Sequence, residues 1–473
     1  MYFKHIYEDG LSQASYIVGC QATGSAVVID PRRDIQIYLD IANDEGFSID
    51  YITETHIHAD FLSGTRELAA ATEARVLLSG EGGADWQYDF EHESLHDGDS
   101  FMVGNLEFDV IHVPGHTPEH LSFVLTDLPS SQEPVMMFTG DFLFVGDVGR
   151  PDLLEEAAGV EGAREEGAHQ MYESIHKLDH LPDFIQVWPG HGAGSACGKA
   201  LGAVPSTTLG YERRANWAYQ ARTEQAFVAE LLDGQPEPPR YFGTMKLWNR
   251  EGPDVLRSLP RPYRLDAGSL TKMAQRGAQV VDARDKFAYA GGHLPGSYNI
   301  PDSAGFSTWA GWLLDFSRDV VLIAPEHRID DLVARLVRIG CDRVVGYLPD
   351  LERLSDTGQE LEVVRQRTVE DVHNAVITGD VAVLDVRGAG EYEGGHIEGA
   401  INIHTGRLPD HIESIPRDRE VVVHCETGFR SSIASSVLLA HGLTNVANMT
   451  GGYAAWQDAG YSTVTPELED AVG

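Results

Sequence analysis

The stretch TETHIHADF, residues 53–61, follows an apolar run and carries three potential metal ligands, His56, His58 and Asp60. In an extended segment successive side chains point to opposite sides, so residues at alternate positions lie on the same side. The two histidines and the aspartate are spaced in this way. The spacing therefore predicts that two imidazoles and a carboxylate are delivered together to one side of a strand-end loop.

Three later stretches extend this set. HVPGHTPEH supplies His116, MMFTGDF supplies Asp141 and VWPGHGAG supplies His191, each after an apolar strand-like run and beside a glycine turn. One such histidine alone is typical of an ordinary surface or core residue. Imidazoles and carboxylates brought from several strand ends to one rim are instead the ligands of a borderline divalent metal. The set as a whole indicates a metal site.

These motifs resemble those of the metallo-β-lactamase superfamily, H-x-H-x-D-H, G-H-T, G-D and a terminal His, and the resemblance covers residues 1 to about 250. It implies an αββα sandwich. One position departs from the pattern, because Phe61 stands where family members with two zinc ions have a second-site histidine. A phenyl ring cannot bind metal, so the departure favours a mononuclear centre.

The branch that tolerates this loss resembles the persulfide dioxygenases. That resemblance implies a mononuclear Fe(II) held by His56, His116 and Asp141, a two-histidine, one-carboxylate set with open positions for dioxygen and substrate. It also implies that His58, Asp60 and His191 do not bind the metal but orient its ligands and water. In the matching GDVGRPDLL stretch, Arg150 is expected to contact the anionic end of the substrate. The alternative is a loop arginine paired to Asp152 or Asp147.

The second half of the chain contains an internal repeat. QVVDARDKFAYAGGHLPGSYNIP from Gln279 matches AVLDVRGAGEYEGGHIEGAINIH from Ala382, 103 residues further on. Two copies of a strand, an Asp-x-Arg turn and a G-G-H loop predict two α/β domains of about 100 residues each. Before the repeat, residues 234–265 are rich in Pro and poor in periodicity, which predicts a linker.

Cys425 lies in VVVHCETGFRSSIASSVLLAHG, an apolar strand followed by a short loop to Arg430 and then a helix. Backbone N–H groups wound toward the centre of such a loop form an anion cradle, and the helix dipole and Arg430 are expected to favour a nucleophilic thiolate. With its upstream motifs, this stretch resembles the rhodanese, or sulfurtransferase, family. The matching strand of the first copy, VVLIAPEHRID, has Ala324 in place of the cysteine, which predicts an inactive copy.

The predicted organisation is therefore a multidomain α/β and α+β chain: a metallo-β-lactamase sandwich over 1–255, an inactive rhodanese domain over 256–358 and an active one over 359–473. Among the other cysteines, Cys20 and Cys341 are expected to be structural. Cys197 lies six residues after His191, with Lys199 nearby to favour a thiolate, so it is either a persulfide relay or a small loop residue.

The composition limits the partners. The formal net charge is −38, and the repelling surface argues against nucleic-acid binding. Only six of the 35 cations are Lys, and an acidic, Lys-poor surface predicts a halophile's protein; the alternative is an ordinary acidic enzyme. Scattered cysteines, no apolar leader and no bilayer-length apolar stretch predict a cytoplasmic protein without a membrane partner.

The complete order of domains resembles the fusions of a persulfide dioxygenase with a sulfurtransferase. The implied reaction consumes a thiol persulfide and dioxygen, yields sulfite, and then adds a sulfane sulfur to sulfite to give thiosulfate. A homo-oligomer is expected. Two alternatives stay open at this point: a dinuclear zinc hydrolase of the glyoxalase II kind, and a sulfur carrier whose first domain only binds a partner.

Overall fold

The computed structural model describes residues 1–153, 155, 162–199, 201–351 and 359–465. The chain divides into two compact units, 1–259 with 337–340, and 260–336 with 341–473. The sequence-predicted boundary between residues 358 and 359 falls at residue 358, which lies outside the described residues. Within the described part of the chain, no helix has the length and apolarity needed to cross a bilayer.

The first unit contains two six-stranded sheets. The first sheet has the order β1 (Tyr2–Glu8), β2 (Gln13–Cys20), β3 (Ser25–Ile29), β4 (Ser48–Thr53), β5 (Arg75–Ser79), β6 (Glu93–Leu95). The second has the order β12 (Thr207–Thr208), β11 (Gln186–Pro189), β10 (Met136–Gly140), β9 (Leu121–Asp127), β8 (Leu106–His112), β7 (Ser100–Val103). Pairing is parallel from β3 to β6 and between β10 and β11, and antiparallel elsewhere.

The two sheets pack face to face, because each contributes apolar side chains to one core that includes Tyr16 and Val27 from the first and Phe108, Phe123 and Phe138 from the second. Helices cover both outer faces, and their buried residues pack on the backs of the sheets. These helices are Gln36–Glu45, Thr65–Thr72, Ala163–Lys177, Leu209–Ala215, Trp217–Gln220 and Glu224–Leu232. The αββα sandwich expected from the sequence is confirmed.

The linker predicted over 234–265 is partly wrong. Residues Phe242–Glu251 form a helix that buries Phe242, Met245 and Asn249. The short apolar spacing within this segment was hidden by the prolines on either side of it. The helix belongs to the first unit and does not act as a linker. It contacts the loop that carries the candidate metal ligands.

The second unit contains two five-stranded parallel sheets of identical topology. The first repeat has the order β13 (Tyr263–Arg264), β17 (Val344–Leu348), β16 (Val320–Ile323), β14 (Gln279–Asp282), β15 (Tyr298–Asn299), with helices Ala267–Gln275, Lys286–Gly291, Phe306–Leu313 and Ile329–Val337. The second has β18 (Arg365–Arg367), β22 (Val446–Met449), β21 (Glu420–His424), β19 (Val381–Asp385), β20 (Ile401–Asn402), with helices Val369–Thr378, Ala389–Glu393, Leu408–His411, Phe429–Ala440 and Gly452–Asp458.

The predicted internal repeat extends to individual contacts. Asp282 accepts hydrogen bonds from Arg284 as Asp385 does from Arg387. In both repeats the histidine of the G-G-H loop stacks on a tyrosine, with ring centroids 3.9 Å apart in the first and 3.6 Å in the second. The two repeats are therefore copies of one α/β domain.

Candidate metal centre and sulfur-transfer site

The loop after β4 carries His56, His58 and Asp60 into the interior, where all three are buried. Asp30, at the end of β3, holds this loop in place. Its carboxylate accepts hydrogen bonds from the Thr55 backbone N–H at 2.7 Å and the Thr55 hydroxyl at 2.9 Å, and it contacts His58 Nε2 at 3.1 Å. The sequence did not reveal Asp30, because no motif distinguishes it from other aspartates that follow a strand.

His56, His116 and Asp141 converge on one buried point. Asp141 Oδ2 lies 4.0 Å from His56 Nε2 and 3.6 Å from His116 Nε2. Two donors at about 2.1 Å from one ion lie about 3 to 4 Å apart, so these separations fit a single metal. In the described structure, His56 Nε2 and Asp141 Oδ2 are buried without a hydrogen-bond partner, as ligands of an absent ion would be.

The other nitrogen of each ligand histidine is already bound. His56 Nδ1 lies 3.0 Å from the Thr55 hydroxyl, and His116 Nδ1 donates to the Arg150 carbonyl at 2.9 Å. Such contacts orient the ring so that Nε2 faces the metal. Burial lowers the pKa of both histidines, which keeps the imidazoles neutral and able to bind a metal.

His191 links two carboxylates. Its Nδ1 lies 2.7 Å from Asp141 Oδ1 and its Nε2 lies 2.8 Å from Asp60 Oδ2. Burial raises the pKa of Asp141, but His191, His56 and His116 together lower it, and the net pKa is well below the usual range. These contacts fix the orientation of the Asp141 carboxylate, and the proposed orienting role of His191 and Asp60 stays a prediction.

A second group of potential ligands stands beside the first. Asp60, His191 and Cys197 each offer a ligand atom within 4.8 Å of the others, and all three are buried. Spacing along the chain did not predict this group, because Cys197 was interpreted as a relay or loop residue rather than as a ligand.

The expected support of Cys197 by Lys199 is wrong. The Lys199 ammonium binds the carbonyl oxygens of Glu230 and Asp233, the latter at 2.9 Å. Burial and the neighbouring Asp141 and Asp60 carboxylates raise the pKa of the Cys197 thiol well above its usual value. Two residues of sequence separation did not bring the two side chains together.

Arg150 is buried, and its guanidinium forms a two-point contact with Asp152 at 2.8 and 2.5 Å and donates to the Ala196 carbonyl at 3.1 Å. The pair with Asp152 is the alternative that the sequence left open. Contact with a substrate would require this pair to open, so that role stays a prediction. Through its carbonyl, Arg150 instead orients the His116 ring.

Two further residues that the motifs did not reveal support the site. Asn249, on the helix Phe242–Glu251, donates to the carbonyls of His58 and Phe61 and accepts from the Ser63 N–H, all within 2.8 Å. His120 stacks on His56 with ring centroids 4.8 Å apart, and its Nε2 accepts from the Asp141 N–H. His120 is the last residue of the stretch HVPGHTPEH, and this histidine was the only sign of its role in the sequence.

The candidate sulfur-transfer site lies at the end of β21. Cys425 is buried, and its Sγ accepts a hydrogen bond from the Gly428 N–H at 3.1 Å. Gly428 has a φ of +92°, a conformation that glycine adopts readily and that turns this N–H toward the sulfur. The helix Phe429–Ala440 begins directly after it, so one backbone N–H of the loop and the start of a helix lie beside the sulfur.

Arg430 is less free than the sequence suggested. Its guanidinium forms a two-point ion pair with Glu391 at 2.5 and 2.7 Å. The hydrogen bonds that Arg430 donates to Glu391 raise its pKa, and Cys425 adds to the effect. Arg387 is paired in turn with Asp385 at 2.7 Å and Glu426 at 3.3 Å. Arg387 and Arg430 are therefore both neutralised by carboxylates.

The corresponding position of the first repeat carries no thiol. Ala324 is buried directly after β16, and Pro325 follows it. Cys341, between the helix Ile329–Val337 and β17, is also buried, and burial raises its pKa to about 12. Thiolate chemistry in this unit rests on Cys425.

Comparisons with known proteins agree with this architecture. The model of the metallo-beta-lactamase superfamily matches residues 9–191, and that of the rhodanese-like domain matches 266–349 and 368–459. A solved metallo-beta-lactamase from Staphylococcus aureus subsp. aureus COL is 44% identical with a TM-score of 0.69. The match covers 74% of this chain and 99% of that one.

Two curated relatives match the first domain. Hydroxyacylglutathione hydrolase of Rhodospirillum rubrum is 34% identical over 176 residues, 37% of this chain and 60% of that protein. Persulfide dioxygenase ETHE1 of Mus musculus is 30% identical over 196 residues, 40% of this chain and 67% of that protein. The chain thus spans less than two thirds of the first of these relatives. The protein belongs to the metallo-beta-lactamase superfamily, and it joins a domain of that fold to two rhodanese-like domains.

Proposed function

We propose that the protein is a persulfide dioxygenase coupled to a sulfurtransferase. The observation that carries this proposal is the buried set of two imidazoles and one carboxylate, His56, His116 and Asp141, next to Phe61 in place of a further ligand. This is the ligand set that non-haem Fe(II) oxygenases use. A bound Fe(II) would supply the activation of dioxygen. The persulfide, dioxygen and water would give the thiol, sulfite and two protons.

Residues around the site orient the candidate metal ligands through hydrogen bonds. The Thr55 hydroxyl and the Arg150 carbonyl orient the two imidazoles, and His191 orients Asp141. Because burial keeps His56 and His116 neutral, neither ligand has to lose a proton before binding a metal. The similarity to persulfide dioxygenase ETHE1 supports this choice of reaction.

The second step belongs to Cys425. Its thiolate attacks the outer sulfur of a second persulfide, so a new S–S bond forms on Cys425 and the thiol leaves. Sulfite then attacks that outer sulfur, thiosulfate departs and the Cys425 thiolate is restored. The Gly428 N–H at Sγ stabilises the thiolate in both half-reactions. Having both sites on one chain raises the effective concentration of sulfite at its acceptor.

The test is oxygen uptake by anaerobically purified protein on a panel of low-molecular-weight thiol persulfides, with iron and zinc quantified. We expect uptake that scales with about one iron per chain. His116→Ala should abolish it, while His169→Ala should not, because His169 is exposed on the helix Ala163–Lys177 and pairs with Glu224, away from the candidate ligands. If His116→Ala left all sulfur chemistry intact, a sulfur carrier with a non-catalytic first domain would be supported instead.

A second candidate function is a dinuclear zinc thioester hydrolase of the glyoxalase II kind. The group Asp60, His191 and Cys197 favours it, since a thiolate and an imidazole are good zinc ligands. The similarity to hydroxyacylglutathione hydrolase points the same way. Two zinc ions per chain, hydroxyacylglutathione cleavage and no oxygen uptake would establish this function and refute the dioxygenase.

We also propose a cytoplasmic location in a halophile. All four cysteines are free thiols, as in a reducing compartment. The net charge of −38 and the small number of lysines fit a surface that must stay hydrated at high salt.

A further inference from the structure

The inactive repeat lies directly against the Cys425 site. Asn299, at the end of β15, accepts a hydrogen bond from the Ser432 hydroxyl at 2.8 Å, and its N–H donates to the Ser436 hydroxyl at 2.9 Å. Both serines belong to the helix that follows the Cys425 loop. These buried contacts fix the position of the first repeat beside the second within one compact unit.

A cavity of about 220 Å³ lies at this junction. The active repeat contributes Thr427 and Gly428 of the Cys425 loop to its lining, and the inactive repeat contributes Lys286, Phe287 and Ala290. The Lys286 Nζ lies 3.5 Å from the point that a Cβ on Gly428 would occupy. The ammonium is therefore adjacent to the residue whose N–H binds the Cys425 sulfur.

Lys286 is the cation in this neighbourhood that no carboxylate neutralises. Arg387 and Arg430 are both held by carboxylates, whereas Lys286 forms no ion pair with any of the residues that the structure describes. The chain carries 73 acidic residues and only six lysines, so an unpaired ammonium beside a nucleophile is unusual in this molecule. Its charge is available to an incoming anion.

The repeat alignment shows that the fold does not require this lysine. The residue 103 positions later, in the active copy, is Ala389, at the same place in the corresponding helix. The Lys286 side chain is half-buried, and its one described aromatic contact is with its own neighbour Phe287. The difference between the copies thus places a cation where the cavity opens toward the other repeat.

We propose that Lys286, supplied by the catalytically inactive repeat, binds the anionic sulfur acceptor as it approaches the persulfide on Cys425. This role rests on the proposed function, in which sulfite takes the outer sulfur from Cys425. Sulfite forms the bond to that sulfur, the S–S bond to Cys425 breaks, and the electron pair stays on the Cys425 thiolate. Lys286 is a positioning residue for the anion and takes no part in the bond exchange.

The test is single-turnover discharge of the full chain. Cys425 is loaded with a stoichiometric thiol persulfide, loading at this residue is verified by peptide mass spectrometry, and the protein is then mixed with sulfite or with the neutral acceptor dithiothreitol. For Lys286→Ala we expect the sulfite concentration at half-maximal rate to rise about tenfold, the loss of one charge-assisted contact. The maximal rate and the dithiothreitol reaction should change by less than about twofold.

Three further variants sharpen the test. Lys286→Arg keeps the charge and should retain near-normal sulfite dependence, whereas Lys286→Glu should weaken it further than Lys286→Ala. Lys272→Ala removes an exposed lysine of the same repeat, away from the cavity, and should behave as the parent protein. The difference between Lys286→Ala and the parent should shrink at molar salt, because the Debye length falls to about 3 Å.

The outcomes separate the two proposals. If the parent protein does not load at Cys425 or does not discharge to sulfite, the sulfurtransferase function fails. If the parent discharges normally and Lys286→Ala has an unchanged sulfite dependence, or loses sulfite and dithiothreitol reactions equally, the role of Lys286 is refuted while the sulfurtransferase function stands.

Discussion

At the scale of single residues, Phe61 is the position that bears on the number of metal ions in the proposed centre. Its side chain is fully buried and lies against His58, with ring centroids 4.4 Å apart. The carbonyl of Phe61 is bound by Asn249, so the backbone at this position is already fixed. A ligand placed on this backbone would therefore enter the site without rebuilding the loop.

Phe61→His is expected to add that ligand. With Asp60, His191 and Cys197 already grouped, a fourth donor would complete a tetrahedral zinc site. We expect zinc content after reconstitution to rise from about one to about two ions per chain. Elemental analysis measures it, with Phe61→Leu as the control that changes the side chain without adding a donor. An unchanged stoichiometry in a folded Phe61→His protein would contradict this account of the site.

At the scale of elements, the metal site depends on pieces that are not adjacent in sequence. The strand ends of β4 and β10 supply ligands, and the loop after β11 supplies His191. The helix Phe242–Glu251 fixes the ligand loop through hydrogen bonds of Asn249 to its backbone. Regular strands set the positions of the ligands, and side-chain contacts from a helix restrict the loop between them.

Asn249→Ala tests how much this helix contributes to the stability of the first domain and to its metal retention. The change removes three hydrogen bonds and leaves two buried carbonyls, of His58 and Phe61, without their donor. We expect a loss of about 2 to 3 kcal/mol in the stability of the first domain and weaker metal retention. Thermal unfolding and metal content after dialysis measure both effects. Asn43→Ala, on the exposed side of the helix Gln36–Glu45, should change neither.

At the scale of the whole molecule, two chemical sites lie on one highly acidic chain. Residues 1–255 carry 15 cations and 42 anions, whereas the remainder carries 20 cations and 31 anions. The proposed substrates and products are anions. Binding must therefore depend on local groups, the metal and the Cys425 cradle with its neighbouring cations, set in a surface that repels anions.

Cys425→Ser should uncouple the two proposed activities. Oxygen uptake should be retained, because the metal ligands all lie in the first unit. The sulfur product should shift from thiosulfate to sulfite, since the serine hydroxyl cannot carry a sulfane sulfur. Ion chromatography of the products measures the ratio, with Cys341→Ser as the control at a buried cysteine of the inactive repeat. An unchanged ratio would refute the two-step scheme.

Salt dependence tests the charge argument. As salt rises from low concentration, screening should relieve repulsion between the surface and its anionic substrates, so activity should increase before it declines. The change should appear in the substrate concentration at half-maximal rate rather than in the maximal rate. A monotonic decline from low salt upward, measured with chloride salts of two different cations, would contradict the halophile hypothesis.

Much of the molecule was predictable from local sequence. The alternate spacing in TETHIHADF, the glycine turns beside His116, Asp141 and His191, and the loop from Cys425 to Arg430 are short patterns, so each specifies its chemistry within a few residues. The repeat, with Ala324 in place of a cysteine, likewise distinguished the two copies.

The tertiary structure decided which of these groups meet. Asp30, Asn249 and Lys286 reach the sites from distant parts of the chain, and no spacing rule links them to the motifs. Cys197 and Lys199 are two residues apart in sequence, but the loop directs the Lys199 ammonium to the Asp233 carbonyl rather than to the Cys197 thiol. The sequence by itself determined the order of domains and predicted the candidate ligands and the candidate nucleophile. Long-range packing alone determined their partners, because contacts between distant segments follow from how sheets and helices cover one another.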